Sequence, residues 1–229
     1  MSRMLTGISS MATRELLNEL AVGYELANQQ AVRFDSVGGV DAAKRVVAGE
    51  AFDVVVLAAN AIDKLVSSGH VRTGSKVDIV RSGVAIAVKS GSPVPTPDTE
   101  ASLRAAVLAA ASVGYSTGPS GVAVVELFKR WGIIDTLGDR LIQAQPGVPV
   151  GQLIAEGVVE LGFQQLSELM HLPGIVVIGP MPPEIAIETI FSAAICASCN
   201  QTESAQRLLQ YLRSDAAATA RKNNGMSAV

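Results

Sequence analysis

The chain has 229 residues, 48% of them hydrophobic, with 18 Lys and Arg against 21 Asp and Glu and a formal net charge of −3. A chain of this length buries roughly three quarters of its unfolded surface, so it builds a core without disulfides or metal, and its apolar content excludes disorder. An acidic balance with only 4% aromatic residues excludes a nucleic-acid surface, which needs clustered Lys and Arg and stacking rings.

Short β-rich runs alternate with amphipathic stretches, the pattern of an α/β protein with mainly parallel sheets flanked by helices. In chain order, a strand over Met4–Thr6 precedes a helix from Met11 to Asn28 with Leu16, Leu17, Leu20 and Tyr24 on one face. A strand over Ala31–Phe34 leads to a helix over Val40–Ala48 that Gly49 closes, and one over Val54–Leu57 to a helix over Ala61–Ser67 that Gly69 closes. Glycine just past a helix end adopts the left-handed conformation cheaply, so these stops are well signalled. A strand over Val84–Val88 is followed by Pro93, Pro95 and Pro97, then a helix over Thr99–Ala111 and a strand over Ser112–Tyr115. Helices over Gly121–Trp131 and Val150–Glu156 end at Gly132 and Gly157. Strands over Leu161–Phe163 and Ile175–Val177 precede Pro180, Pro182 and Pro183. A strand over Ile187–Ile195 and a helix over Ser204–Arg213 finish the chain. The two proline-rich shifts divide it into a discontinuous first lobe, 1–82 plus 188–229, and an inserted second lobe, 83–187.

The longest uncharged run, Ala105 to Val125, is broken by Gly114, Gly118, Pro119 and Gly121, so no membrane insertion is expected. The N-terminus has no apolar signal core before Arg14 and Glu15, which places the chain in the cytoplasm as written, or in the periplasm if a signal peptide has been removed. Cys196 and Cys199 form a C-x-x-C pair. With only His70 and His171 in the chain, neither zinc nor redox chemistry is supported, and structural thiols are expected. No phosphate loop, dinucleotide fingerprint or nucleophile elbow occurs, so no cofactor and no metal is expected.

The informative feature is the position of small hydroxyl residues. Three times a strand ends, Ser and Gly follow and a helix begins: Gly7 to Met11 with Ser9 and Ser10, Asp35 to Gly39 with Ser36 and Gly38, and Tyr115 to Gly121 with Ser116, Gly118 and Ser120. A helix N-terminus offers unpaired N–H groups and partial positive charge, and a neighbouring hydroxyl adds a donor for the same anion. Serine and glycine are also ordinary N-cap residues, so capping and anion binding both fit the pattern.

These residues, in this order, resemble the type II periplasmic solute-binding proteins, molybdate-binding-protein-like group. The run Val77 to Lys89 and the segment Glu160 to Leu169 are similar to a branch of that group that includes aconitate isomerase. The resemblance implies two α/β lobes joined by two crossover strands at a hinge, holding a small anion in the cleft by hydroxyls and backbone amides. It puts Ser10, Ser36 and Ser116 among the first contacts, and Gln165 where molybdate binders commonly have Tyr, which points away from molybdate. Gln164 and Gln165 suit a carboxylate or a hydroxyl-bearing organic acid, and Arg81 suits bidentate pairing with a carboxylate or a surface salt bridge.

Two functions follow from the resemblance. One is an isomerase that shifts a double bond, or its cis/trans geometry, in a small unsaturated di- or tricarboxylate, with Glu168, His171 and Tyr115 as candidate bases. The other is a receptor that delivers an oxyanion or carboxylate to an ABC permease. A LysR-type effector domain shares the lobe architecture but would need a helix-turn-helix ahead of the first strand.

Overall fold

The computed structural model describes residues 3–229; Met1 and Ser2, which head the first predicted lobe and the terminus read as signal-free, lie outside the described residues. The chain divides into two compact units, one running to Ser82 and resuming at Ile190–Val229, the other Gly83–Thr189.

In the first unit β1 (Leu5–Ser10) passes through a 3₁₀ turn at Met11–Thr13 into α1 (Arg14–Asn28). Then come β2 (Val32–Val37), α2 (Gly39–Val47), β3 (Val54–Ala58) and α3 (Ala59–Ser67). The long strand β4 (Val77–Lys89) carries the chain out of this unit. β1 pairs parallel with β2 on one side and β3 on the other. β1 and β2 run further than propensity suggests, so Ser9, Ser10 and Ser36 lie inside strands rather than in the loops after them. The small residues Gly7, Ser9 and Ser10 weaken the local strand signal, but pairing along both edges of β1 overrides it. β4 likewise begins at Val77 rather than Val84, because its polar Asp78 and Arg81 interrupt the apolar run without interrupting the pairing.

The second unit begins within β4 and continues through α4 (Glu100–Ala109), β5 (Val113–Tyr115), α5 (Pro119–Arg130), α6 (Ile134–Leu137) and β6 (Leu141–Gln143). It ends with α7 (Val150–Glu156), β7 (Leu161–Gln165), α8 (Leu166–Leu169) and β8 (Ile175–Pro180). β5 is parallel to β6 and β7, and β4 is antiparallel to β7 and β8, giving the order β8-β4-β7-β5-β6. The chain returns through β9 (Glu188–Ile195), antiparallel to β3, and closes with α9 (Thr202–Arg213), α10 (Ala218–Asn223) and β10 (Met226–Ser227).

Both sheets are covered on both faces, and strand alternation sorts the core accordingly. Val54, Val56 and Ala58 face one cluster with Leu16, Leu17 and Leu208, whereas Val55 and Leu57 face another with Ala42, Ile62 and Leu65. In the second unit Val84, Ile86 and Val88 pack with Leu103, Val124 and Phe128, while Ala85 and Ala87 pack with Val150 and Ile154. Helix α7 approaches a glycine pair: Gly114 and Gly162 lie opposite each other, and a Cβ on either would overlap Val150, Val159 or Ile154. No helix among the described residues is long and apolar enough to cross a membrane.

One buried charge secures the C-terminal helices. Arg221, 5% exposed, donates from Nη2 to the carbonyls of Leu212 and Ser214 at 3.2 and 2.8 Å, where α9 ends with unsatisfied acceptors. Replacing Arg221 by Met should lower stability in urea unfolding by about 2–3 kcal/mol, since those carbonyls stay buried without a charged donor. A loss below about 0.5 kcal/mol would show that they find other partners.

Candidate functional site

In the first unit β1, β2 and β3 run parallel, so their C-terminal ends share one edge, and a helical turn starts at each. Ser9 lies opposite Ser36 in the register, and their hydroxyls share a 2.8 Å hydrogen bond. Ser9 Oγ also lies 3.3 Å from the Ser10 carbonyl, which accepts a further bond from Thr13 Oγ1 at 3.1 Å. Ser10 itself is 8% exposed, and its hydroxyl has no partner among the described residues. Gly39, the first residue of α2, packs beside it, since a Cβ there would come within 3.6 Å of the Ser10 Cβ. The caps of α2 and α3 are Gly38 and Ala58, neither of which can cap the first N–H groups with a side-chain oxygen. The start of α3 at Ala58–Asn60 went unnoticed in the sequence because an alanine cap carries no signal there.

The second unit repeats the device at the end of β5. Ser116 Oγ and Ser120 Oγ share a 3.1 Å hydrogen bond, and α5 starts from Gly118 without a side-chain cap. Gly121 lets α5 approach closely, because a Cβ there would overlap the Ser116 carbonyl oxygen. β7 ends beside β5, and its last residue, Gln165, is 3% exposed. The Gln165 amide donates from Nε2 to Thr189 Oγ1 at 2.8 Å, while its Oε1 has no partner among the described residues. Thr189 was not singled out in the sequence, since nothing local marks it as the partner of a residue 24 positions away.

Other expected site residues are placed differently. Gln164 commits its Oε1 to the N–H groups of Val150 and Gly151 at 2.8 and 3.4 Å and its Nε2 to Glu168 Oε1 at 2.9 Å, so it anchors α7 and α8 instead of facing a ligand. Arg81 is half-buried on β4 opposite Ser227 of β10. β3 and β9 separate β4 from β1, and three strand spacings amount to about 14 Å, which puts Arg81 outside the serine cluster. Tyr115 packs against the core shared by Phe128 and Phe163. His171 is exposed in the turn after α8, whereas Glu168 is half-buried and oriented by Gln164. No group of His, Cys, Asp and Glu among the described residues is arranged to hold a metal.

The cysteines are both free and buried. Cys196 belongs to the cluster with Val55 and Leu57, Cys199 to the one with Val54 and Leu208, so they serve opposite faces of the sheet. Burial, reinforced by Cys199 and Asp53, pushes the Cys196 thiol up to about 12, and burial raises Cys199 as well. Neither is a nucleophile near neutral pH.

The architecture, parallel strands delivering helix N-termini to one edge of each unit, is that of the type II periplasmic binding proteins. The chain matches the model of the bacterial extracellular solute-binding proteins over residues 5–227 and belongs to that family. It is 36% identical to an aconitate isomerase from Pseudomonas sp over 237 residues, spanning 98% of this chain and 88% of that protein. The periplasmic molybdate-binding protein of Azotobacter vinelandii superposes with a TM-score of 0.82 at 18% identity, covering 98% of this chain and 99% of that one. The tungstate ABC transporter protein of Geobacter sulfurreducens gives 0.77 at 17% identity, covering 96% and 98%.

Two outcomes test this description. Gly121→Ala must push α5 away from Ser116, and should cost about 1–3 kcal/mol in thermal unfolding; an unchanged Tm would mean that α5 does not pack tightly on the Ser116 carbonyl. A thiol reagent at pH 8 should label neither cysteine in the native protein and both after denaturation, and rapid native labelling of either would contradict their burial.

Proposed function

We propose that this protein binds a small di- or tricarboxylate through its hydroxyl-flanked helix N-termini and isomerises it by moving a proton along an allylic system. The supporting observation is the 36% identity to an aconitate isomerase over 98% of the chain. The chemistry of each unit by itself is compatible: the first has the Ser10 hydroxyl beside the start of α2, the second has Ser116 and Ser120 beside the start of α5, and donors of this kind stabilise carboxylate charge as it grows during proton removal.

The step needs one base that takes a proton from a carbon next to the double bond and one proton returned at the other end of the allyl unit, with no net gain or loss of atoms. Of the three candidate bases, Glu168 is the one with an oriented, half-buried carboxylate, Gln164 Nε2 fixing one oxygen from the α7 side of β7, so acting as the base would require it to reach past the end of that strand. Tyr115 is engaged with the core and His171 is solvated. The family assignment favours a second reading, a receptor that releases its anion unchanged to an ABC permease.

The two readings separate in one experiment. A thermal-shift screen against molybdate, tungstate, sulfate and a series of di- and tricarboxylates should show the largest stabilisation with a carboxylate. Proton NMR of that carboxylate in deuterated water should then show its allylic or vinylic protons exchanging or interconverting. Glu168→Gln should lower kcat by 10²-fold or more at similar KM. Stabilisation by molybdate or tungstate alone, or by a carboxylate that stays chemically unchanged, would replace the isomerase with the receptor.

A further inference from the structure

The second unit contains a buried polar group that neither the fold nor its helix caps employ. Gln165 is 3% exposed, and Thr189 Oγ1 holds its Nε2 at 2.8 Å, leaving Oε1 as a buried acceptor without a partner among the described residues. A buried carbonyl without a partner is costly, so a fold retains one where something else completes it.

Its position indicates what that something is. Alternation along β7 turns Phe163 and Gln165 to the face covered by α5, and Gln164 to the face covered by α7. Gln165 is the last residue of β7, beside the end of β5, where Ser116 and the start of α5 lie. The acceptor therefore shares an edge and a face with the hydroxyl pair of Ser116 and Ser120.

We propose that Gln165 is the specificity residue of this site: its Oε1, held in register by Thr189, accepts a hydrogen bond from an O–H group of the bound acid. The inference rests on the carboxylate reading above and narrows its ligand class. Ser116, Ser120 and the start of α5 take an ionised carboxylate; Gln165 takes a group that still carries a proton, either an alcohol or a carboxyl kept in its acid form. A fully deprotonated tetrahedral oxyanion has no such proton and leaves Oε1 unsatisfied, and a site built to pair with an O–H rejects a partner lacking it strongly.

Matched ligands test this, with affinities measured by calorimetry at pH 8. Citrate and tricarballylate differ by one hydroxyl, as do malate and succinate. If the proton comes from an alcohol, the hydroxylated member of a pair should bind about tenfold tighter or more. If it comes from a carboxyl, the pairs should bind alike at pH 8, and trans-aconitate should instead bind about tenfold tighter as the pH falls from 8 to 5. Gln165→Leu should abolish whichever preference is seen. Gln165→Glu, which keeps an acceptor but adds charge, should weaken every carboxylate while preserving that preference. Circular dichroism and Tm confirm that each variant is folded, and Thr189→Val, which removes only the anchor, should reduce the preference if Gln165→Leu does not fold.

Carboxylates that bind wild type with neither preference, a preference that survives Gln165→Leu, or tighter binding of the deoxy acids would each overturn the role of Gln165 while leaving the carboxylate site standing. Binding of molybdate with no carboxylate binding at all would overturn both.

Discussion

The helices that begin at the C-terminal ends of the parallel strands leave their first backbone N–H groups without side-chain caps, and the candidate site depends on that feature. Helices α2, α3 and α5 begin from Gly38, Ala58 and Gly118, none of which can offer a capping oxygen from its side chain. By contrast α4, which does not start from a strand of that parallel set, has a complete capping box: Thr99 Oγ1 accepts from the Ser102 N–H at 3.1 Å and Ser102 Oγ from the Thr99 N–H at 3.0 Å. The sequence is therefore able to cap a helix, although α6, α9 and α10 also begin without a capping side chain, so an open start is not confined to the strand ends. At the strand ends it places hydroxyls beside the helix starts instead, leaving the N–H groups available to an outside acceptor.

Close approach is what brings those hydroxyls within reach of the helix starts. Gly121 admits the Ser116 carbonyl, and Gly39 sits against Ser10, so in each unit the serine and the first helical turn occupy one small volume. The longer-range counterpart is the glycine pair Gly114 and Gly162, which lets α7 settle on the opposite face of the sheet and so fixes where β5 and β7 end. Packing on one face thereby sets the geometry of polar groups on the other, because both depend on the position of the same strands.

The fold was largely legible because its signals are local and periodic. Gly49, Gly69, Gly132 and Gly157 all adopt positive φ just past the helices they were expected to close, and Val150–Glu156 has the expected bounds. Polar residues inside strands were harder to read. Ser9, Ser10 and Ser36 look like loop residues in one dimension and become strand residues only through lateral pairing, which a single sequence does not display. The same limit hid the partner of Gln165, since Thr189 reaches it across the fold, and misdirected Gln164, whose α7 partners lie 13 and 14 residues away. Clusters of hydroxyl residues were legible as types; their division into partnered and unpartnered members was a property of the folded state.

Adjacent glutamines on β7 show how one strand separates structure from recognition. Both are 3% exposed and chemically identical, yet the pleat turns them to opposite faces of the sheet. Gln164 meets the start of α7 and the Glu168 carboxylate, and both ends of its amide are used in holding those elements. Among the described residues Gln165 meets one hydroxyl, that of Thr189, and its Oε1 is left without a partner. The first positions Glu168; the second faces the edge where Ser116 and α5 begin. A one-residue slip of β7 would exchange these roles, breaking the anchor of α7 and burying the acceptor against it. The register of β7 against β4 and β5 therefore constrains the chemistry of this unit as tightly as the identity of the glutamines does.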